Sequence, residues 1–222
     1  MLTRYGRTRV KICCIRSVDE AMLAIRYGAS ALGLVADMPS GPGVIPEKLI
    51  SEVASTVPPY VTSVLLTSRQ NVDEIIEQHQ RCGTNAIQIV DRLEHASYDE
   101  LRKSLPGIDI IQVIHVIGEE SIDEAIKIAP QVNGILLDSG NSNLEIKELG
   151  GTGRTHDWDL SKRIKDSIDK PLILAGGLNT ENVADAIRQV EPYAVDVCSG
   201  VRTNNMLDEA KLCLFMDKVA KL

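Results

Sequence analysis

Short apolar runs alternate with longer amphipathic stretches from one end of the chain to the other. The runs are rich in β-branched residues, as in strands buried on both faces, and the stretches carry apolar residues at helical spacing. We predict eight strands, at Val10–Cys14, Ser30–Ala36, Tyr60–Leu66, Ala86–Val90, Asp109–Ile117, Gly134–Leu137, Pro171–Leu174 and Ala194–Val197. We predict eight helices, at Ser17–Tyr27, Pro46–Val57, Asn71–Arg81, Tyr98–Leu105, Ser121–Ala129, Asp157–Ile168, Thr180–Val190 and Met206–Ala220.

Three of these helices have sequence signals at their starts. The pattern S-x-x-E is a capping box, and it opens the first helix at Ser17–Glu20 and the fifth at Ser121–Glu124. Pro46 stands at the start of the second helix, where its missing N–H group costs nothing.

The strict alternation of strand and helix predicts a parallel sheet. Each strand–helix unit takes about 28 residues, close to the spacing of a (β/α)₈ barrel. The structural alternative is an open doubly wound sheet, which usually has fewer strands and carries a GxGxxG turn after an early strand. That motif does not occur, and no Pro- or Ser-rich linker divides the chain. We therefore predict an α/β fold, a TIM barrel formed as a single domain by residues 1–222.

Composition and charge exclude several classes of protein. Of the 222 residues, 44% are hydrophobic and 25% charged, which argues against a disordered polymer. The net charge of −7 and an aromatic content of 3% disfavour a nucleic-acid partner. We expect no membrane partner, because no apolar run approaches the ~20 residues of a span and the N-terminus lacks the apolar region of a secretory signal. The five cysteines are irregularly spaced, so we expect no metal site and a reducing, cytoplasmic location.

In a barrel of this kind, the active site lies at the carboxyl ends of the strands. Cys13 and Cys14 end the first strand, and alternation points only one of them, with Lys11, toward the barrel axis. We expect Cys13 to face the axis and Cys14 to point away. A thiolate near a cation can act as a base or nucleophile. The alternative is that both cysteines are small buried apolar residues.

Two further strand ends carry candidate chemistry. Asp138 directly follows four apolar residues, where it is either a general acid with a raised pKa or a simple helix-capping acid. The loops after the seventh and eighth strands contain Gly176, Gly177, Ser199 and Gly200. Barrels of this type commonly bind phosphate there, through backbone N–H groups and a nearby helix start. The alternative is that these glycines only form turns.

The four histidines give weaker signals. We expect His79 to be solvated on a helix face and His95 to lie in a polar turn. His115, within the fifth strand, either faces the pocket or is buried and hydrogen-bonded. His156 follows a Gly-rich loop at residues 150–155 that could fold over a ligand.

Several motifs together resemble the phosphoribosylanthranilate isomerase family. They are Lys11-Ile-Cys13, Leu136-Leu-Asp138, Gly150-Gly-Thr-Gly153 followed by Asp157-Trp158, Leu174-Ala-Gly-Gly-Leu178 and Val195-Asp-Val-Cys-Ser-Gly-Val201. The resemblance implies a (β/α)₈ barrel in tryptophan biosynthesis that needs no cofactor and takes a small phosphorylated sugar. We expect the protein to be a monomer or homodimer.

The resemblance also implies residue roles in an Amadori rearrangement. Asp138 would protonate the ribose ring oxygen, and Cys13 would take the proton from C2′. Gly176, Gly177, Ser199 and Gly200 would hold the phosphate. Lys11, Asp196 and Arg154 would contact the remainder of the substrate, with Asp196 on the sugar side.

Four positions depart from the family pattern. Pro42 stands where the family has an Arg facing the anthranilate carboxylate, and Val90 where it has a His. Cys14 replaces a Gly, and His156 replaces a Phe. Arg154, Arg202 and His115 are the candidates to replace the missing Arg.

Two other functions stay open at this point. One is an isomerase of another phosphoribosyl amine, as in the histidine pathway, although that relative would have a carboxylate where Cys13 stands. The other is a non-catalytic barrel that binds a sugar phosphate.

Overall fold

The protein forms a closed barrel of eight parallel strands in a computed structural model. The structure describes residues 6–93, 98–140, 149, 153 and 155–222. Each strand pairs with the next along the chain, and the first pairs with the eighth through Lys11 opposite Asp196 and Ile12 opposite Val197. This closure confirms the predicted (β/α)₈ barrel and excludes the open sheet.

Strands and helices alternate in the predicted order. The barrel strands are β1 Arg9–Ile12, β2 Ala31–Val35, β3 Thr62–Thr67, β4 Ala86–Ile89, β5 Asp109–His115, β6 Gly134–Asp138, β7 Leu172–Leu174 and β8 Ala194–Val197. The helices are α1 Val18–Arg26, α2 Glu47–Thr56, α3 Val72–Cys82, α4 Tyr98–Ser104, α5 Glu120–Ile128, α6 Trp158–Ser167, α7 Val183–Val190 and α8 Glu209–Ala220. A 3₁₀ turn spans Ala129–Gln131, and two short strands, β9 Arg202–Thr203 and β10 Met206–Leu207, lie outside the barrel.

Apolar side chains form two separate cores. The larger lies between the sheet and the helices and includes Leu32, Leu65 and Ile135. The smaller fills the barrel and includes Val64, Val113 and Leu136. Successive strand residues point to opposite faces, so each buried strand contributes to both cores.

The two predicted capping boxes have different outcomes. Ser17 Oγ accepts the N–H of Glu20 at 3.1 Å, so the start of α1 is confirmed. The prediction at Ser121 is wrong, because α5 begins at Glu120. The Ser121 hydroxyl instead donates to the carbonyl of His115 and accepts the N–H of Ile117, fixing the end of β5.

The predicted start of the last helix at Met206 is also wrong. β9 and β10 form a small antiparallel hairpin there. Its turn residues Asn204 and Asn205 have φ of +51° and +63°, values that asparagine tolerates better than most residues. α8 begins only at Glu209, where Asp208 accepts the N–H groups of Ala210 and Lys211.

No helix in the described ranges is both long and apolar enough to cross a membrane.

Candidate active site

A cavity of about 650 Å³, counting the space open to solvent, lies at the carboxyl ends of the barrel strands. Its polar and thiol-bearing lining residues, with two glycines, come from six strand ends: Cys13 and Cys14 after β1, Ser40 after β2, Gln88 in β4, Asp138 in β6, Gly176 and Gly177 after β7, and Asp196, Cys198 and Ser199 in and after β8. The cavity therefore brings together six of the predicted site residues, namely Cys13, Asp138, Gly176, Gly177, Asp196 and Ser199. Gly200 lies behind this lining.

A buried ion pair lies in the barrel below Cys13. Lys11 Nζ donates to Asp196 Oδ2 at 2.9 Å, and both side chains are more than nine-tenths buried. Gly33 in β2 makes room for this arrangement, because a Cβ there would lie 2.8 Å from Cys13 Sγ and 3.1 Å from Lys11 Nζ. Burial alone would lower the pKa of Lys11, but the charges of Asp196 and Cys13 outweigh it and raise that pKa. Lys11 thus stays protonated and neutralises Asp196.

The second oxygen of Asp196 faces a different environment. Within the described part of the chain, Asp196 Oδ1 is buried without a hydrogen-bond partner, and Asp196 lines the cavity while Lys11 does not. A buried unpaired carboxylate oxygen is costly unless a ligand hydroxyl or water fills it. The pair therefore presents one acceptor oxygen to the cavity, with Lys11 behind it.

The prediction that Cys14 points away from the barrel axis is wrong. The chain leaves the strand after Ile12, and Cys14 has a φ of +61°, which turns its side chain into the cavity beside Cys13. Cys14 Sγ lies 2.6 Å from Cys198 Sγ and 3.5 Å from the carbonyl oxygen of Pro42. Strand alternation does not apply to a residue in the left-handed region, where glycine is the favoured residue.

The loop after β2 packs directly on Cys14. Gly43 has a φ of +81°, and a Cβ on it would lie 2.4 Å from Cys14 Cβ. The larger residue at position 14 is therefore accommodated by the glycine at position 43.

The pKa values of the Cys14 and Cys198 thiols are shifted in opposite directions. Hydrogen bonds to Cys13 and Cys198, together with burial, raise the pKa of Cys14 well above its usual value. The hydrogen bond shared with Cys14 lowers the pKa of Cys198, and the positive charge of Arg202 adds to that effect. Cys14 therefore holds its thiol proton more strongly than Cys198 does.

Asp138 ends β6 on the side of the cavity away from β1. Its carboxyl Oδ1 accepts the N–H of Ser139 at 2.7 Å. Burial raises the pKa of Asp138, and this effect outweighs the opposing influence of the Ser139 N–H and of His115, which lies opposite it on β5. A carboxyl group with a raised pKa keeps a proton that it can transfer.

The loops after β7 and β8 pack against each other without side chains between them. A Cβ on Gly200 would lie 2.0 Å from the carbonyl oxygen of Leu178, so only glycine permits this contact. Gly176 and Gly177 have φ of +82° and +61°. Among the described residues, nothing accepts a hydrogen bond from the N–H groups of Gly176, Gly177 or Ser199. These groups suit an anion.

The helix predicted beside these loops begins later than expected, at Val183 rather than Thr180. The β8 loop runs through two turns into the β9–β10 hairpin, and α7 begins six residues beyond Gly177, at Val183. The candidate anion site therefore consists of loop N–H groups and the Ser199 hydroxyl, without a helix dipole directly behind it.

Arg202 has a structural role rather than a place in the cavity. Its guanidinium donates to both carboxylate oxygens of Glu20 at 3.0 Å and to the carbonyl oxygens of Cys13 and Cys14. Glu20 also accepts the N–H groups of Arg16 and Leu207. This network, which we call the Glu20–Arg202 pair, joins the cysteine loop to the hairpin after β8. Arg202 is thus unavailable to replace the missing family Arg.

The structure also locates the other residues singled out from the sequence. His79 is buried and its Nε2 lies 2.8 Å from the carbonyl oxygen of Thr84, so the expectation that it is solvated is wrong. His115 is buried with Nε2 3.1 Å from the carbonyl oxygen of Val90, and it does not line the cavity. Burial lowers the pKa of His156 to about 4, and this ring packs behind Gly176. His95, Arg154 and residues 150–152 lie outside the described residues.

Parts of the Gly-rich segment nevertheless reach the cavity. Leu149 and Gly153 both line it, and the Leu149 N–H donates to Ser40 Oγ of the β2 loop at 3.4 Å. Apolar Met38, Leu66 and Val90 complete this end. Among the described lining residues there is no Lys or Arg.

The sequence reasoning missed three features of the site. Gln88 lines the cavity with a buried Oε1 that has no hydrogen-bond partner among the described residues, and its place in an apolar strand was a detectable signal. The contact between Cys14 and Cys198 and the Glu20–Arg202 pair join residues more than 180 positions apart. No local pattern could have indicated either.

The fold and the cavity define the class of protein: an enzyme built on a (β/α)₈ barrel, with a thiol and a carboxyl group facing one cavity. The model of the N-(5′-phosphoribosyl)anthranilate (PRA) isomerase family matches residues 10–218. The chain belongs to this family, so the resemblance noted in the sequence, and with it an isomerase function of this kind, is confirmed.

Individual relatives agree with the family match. The chain is 35% identical to N-(5′-phosphoribosyl)anthranilate isomerase 2 of Methanosarcina mazei, over 95% of this chain and 93% of the relative. The crystal structure of phosphoribosyl anthranilate isomerase from Thermotoga maritima is 30% identical, with a TM-score of 0.80 and coverage of 97% and 100%. A further isomerase structure, in complex with reduced 1-(o-carboxyphenylamino)-1-deoxyribulose 5-phosphate, is 28% identical, with a TM-score of 0.78 and the same coverage.

Proposed function

We propose that Asp138 and Cys13 catalyse an Amadori rearrangement of N-(5′-phosphoribosyl)anthranilate in the cavity of this barrel. The observation that carries the proposal is that a carboxyl group with a raised pKa and a thiol line one cavity from strands that are not neighbours. Substrate atoms between the two can then receive a proton on one side and lose one on the other.

The acid step comes first in the proposed sequence. Asp138 donates its proton to the ribose ring oxygen, the bond from that oxygen to C1′ breaks, and the nitrogen lone pair forms the imine. Cys13, as the thiolate, then takes the proton from C2′ to give the enolamine, which tautomerises to the ketone. Acid and base catalysis of this kind each contribute roughly 10²–10⁴-fold.

The remaining predicted residues hold the sugar phosphate. The N–H groups of Gly176, Gly177 and Ser199 are positioned to bind the phosphate, with Gly200 allowing the two loops to meet. Asp196 Oδ1 accepts a sugar hydroxyl, and Lys11 forms an ion pair with Asp196 Oδ2 on the side away from the cavity. A phosphorylated isomerase product analogue bound to a related barrel supports this class of ligand.

One observation favours a second candidate substrate. The described end of the cavity near Met38, Leu66 and Val90 has only uncharged side chains and carries no cation to pair with an anthranilate carboxylate. A phosphoribosyl amine with an uncharged aglycone fits this end better, and the acid–base steps would be the same.

Complementation of a tryptophan auxotroph that lacks this isomerase tests the proposal. Growth with the wild-type chain, and none with Asp138→Asn, is the expected result. Purified protein is also assayed with N-(5′-phosphoribosyl)anthranilate and with an uncharged analogue. A folded protein that supports no growth and rearranges neither substrate overturns the proposal, and turnover of the analogue alone assigns the second substrate.

We also propose that residues 1–222 form one domain in a cytoplasmic monomer or homodimer. Sedimentation of the purified chain checks the oligomeric state, and a single cooperative unfolding transition is expected for one domain.

A further inference from the structure

Cys14 and Cys198 place two thiols together at the wall of the cavity. Their sulfur atoms lie 2.6 Å apart, between the ~2.05 Å of a disulfide bond and the ordinary contact distance of two sulfur atoms. Both residues line the cavity, so a small solute that enters it reaches both sulfur atoms. All five cysteines of the chain are free thiols, and Cys82, the last residue of α3, is fully buried.

Disulfide formation needs one thiolate as the nucleophile that meets the oxidant and a second thiol that then attacks it, and the two cysteines suit these different roles. The lowered pKa of Cys198 favours its thiolate, which is the nucleophilic form, and the raised pKa of Cys14 keeps that thiol protonated. Arg202, fixed by Glu20, supplies the positive charge near Cys198.

We propose that Cys14 and Cys198 form a reversible disulfide with oxidants of the peroxide class, and that this disulfide switches off the proposed isomerase. The thiolate of Cys198 attacks hydrogen peroxide, the O–O bond breaks, and hydroxide leaves to become water. The resulting sulfenic acid is attacked by the sulfur of Cys14, which gives up its proton. The S–O bond breaks, a second water leaves, and two thiols have been oxidised while one peroxide has been reduced.

We expect the disulfide to disturb the active site because Cys14 contacts the β2 loop and Arg202 and is covalently joined to Cys13. Its sulfur contacts Pro42, its carbonyl oxygen is held by Arg202, and it directly follows Cys13. A bond from Cys14 Sγ to Cys198 Sγ removes the thiol proton of Cys14, breaks its hydrogen bond to Pro42 and shifts the loop that positions Cys13. This loss of activity rests on the proposed function, whereas formation of the bond does not.

The test uses the full-length purified protein treated with a small excess of hydrogen peroxide. Thiols accessible in denaturant are counted, remaining thiols are alkylated, and a non-reducing digest is examined by mass spectrometry. We expect the thiol count to fall by two from five and a peptide to link Cys14 to Cys198. We expect kcat/KM to fall by about tenfold or more and dithiothreitol to restore it.

Variants separate this pair from the other cysteines. Cys198→Ser and Cys14→Gly should lose the linked peptide, and Cys213→Ser on α8 is the matched control that keeps it. A link between any other pair, or irreversible oxidation of Cys13 with Cys14 and Cys198 still free, overturns the proposal. A disulfide that forms without lowering activity overturns the switch. If the untreated protein had no isomerase activity, the proposed function would fail, and the linked peptide would still decide whether the disulfide forms.

Discussion

The two ends of the cavity differ in how closely they follow the family pattern. At one end, the loops after β7 and β8 keep the family's glycines, and Gly200 touches the backbone of Leu178 directly. At the other end, Pro42 and Val90 stand where the resemblance implies Arg and His, and Cys14 fills space that a glycine would leave empty. We infer that the proposed phosphate end, formed by the loops after β7 and β8, is constrained by backbone geometry. The proposed aglycone end, near Pro42 and Val90, depends on side chains that can change.

The largest expected effect concerns the proposed catalytic pair, Asp138 and Cys13, which serves both ends of the cavity. Asp138→Asn and Cys13→Ser should each lower kcat by roughly 10²-fold or more, because one removes the transferable proton and the other replaces a thiolate with a much weaker base. Since burial raises the pKa of Asp138, wild-type activity should fall as the pH rises through that pKa and Asp138 loses its proton. Steady-state kinetics across pH measure both effects.

Cys213→Ser on α8 is the control for these variants and should leave kcat unchanged. A single variant at Asp138 or Cys13 that retains wild-type kcat would remove that residue from the proposed mechanism.

The next effect concerns the phosphate end. Gly177→Asp places a like charge against the ligand, and like-charge contacts cost several kcal/mol, so affinity for inorganic phosphate should fall by about 10²-fold. Titration calorimetry measures it. Gly107→Asp is a matched control, because Gly107 also has positive φ and open space around it but lies after α4. Equal affinity in Gly177→Asp and Gly107→Asp would contradict the assignment of the phosphate end.

The third prediction tests whether Arg202 belongs to the scaffold or to the aglycone end. Glu20→Gln leaves a buried guanidinium without its counter-charge and should lower the free energy of unfolding by about 3 kcal/mol. The pKa of Glu20 is lowered in the folded protein, because hydrogen bonds and charge from Arg202 outweigh the effect of burial. The stabilisation is therefore complete above the unfolded pKa of about 4.3 and is lost as the pH falls through the folded value.

Urea unfolding at neutral and acidic pH measures this change. Glu119→Gln is the control, since Glu119 pairs with Arg163 at the exposed surface and such pairs contribute little. If Glu20→Gln changed only KM and left stability intact, Arg202 would belong to the aglycone end after all.

The smallest expected effect concerns the aglycone end itself. Pro42→Arg should lower KM for N-(5′-phosphoribosyl)anthranilate by several-fold with little change in kcat, because it adds mainly uniform binding. We combine it with Cys14→Gly, because the loop after β2 packs on Cys14 at Gly43. Removing the Cys14 side chain gives that loop room to accept the Arg. Kinetics of the single and double variants measure the gain, and a folded double variant with unchanged or higher KM would refute this explanation of the departure.

The sequence was sufficient for the barrel because each buried strand leaves its own local pattern. The errors arose where a tertiary contact replaced a local signal. Ser121 has the spacing of a helix cap, but its hydroxyl has nearer partners at the end of β5. Cys14 has the spacing of an outward residue, but the chain turns at φ +61° before alternation can apply.

The candidate site was predictable to the extent that it follows strand ends. Cys13, Asp138 and the glycines after β7 each stand at such an end and do line one cavity. The Glu20–Arg202 pair could not be found in this way, because Arg202 binds a helix that begins about 180 residues earlier. A long-range pair of this kind has no periodicity for a sequence pattern to show.

The seam between β1 and β8 has a consequence for the order of events in synthesis. Lys11 and Asp196 are separated by 185 residues, so Lys11 leaves the ribosome long before its counter-ion. At about 5–20 residues per second, that interval is on the order of ten to forty seconds. During this time Lys11 and the neighbouring thiols remain hydrated, since burying an ammonium without a partner is too costly. The barrel therefore closes late. Because this closure brings β8 against β1, the candidate active site is completed only in the last step of folding.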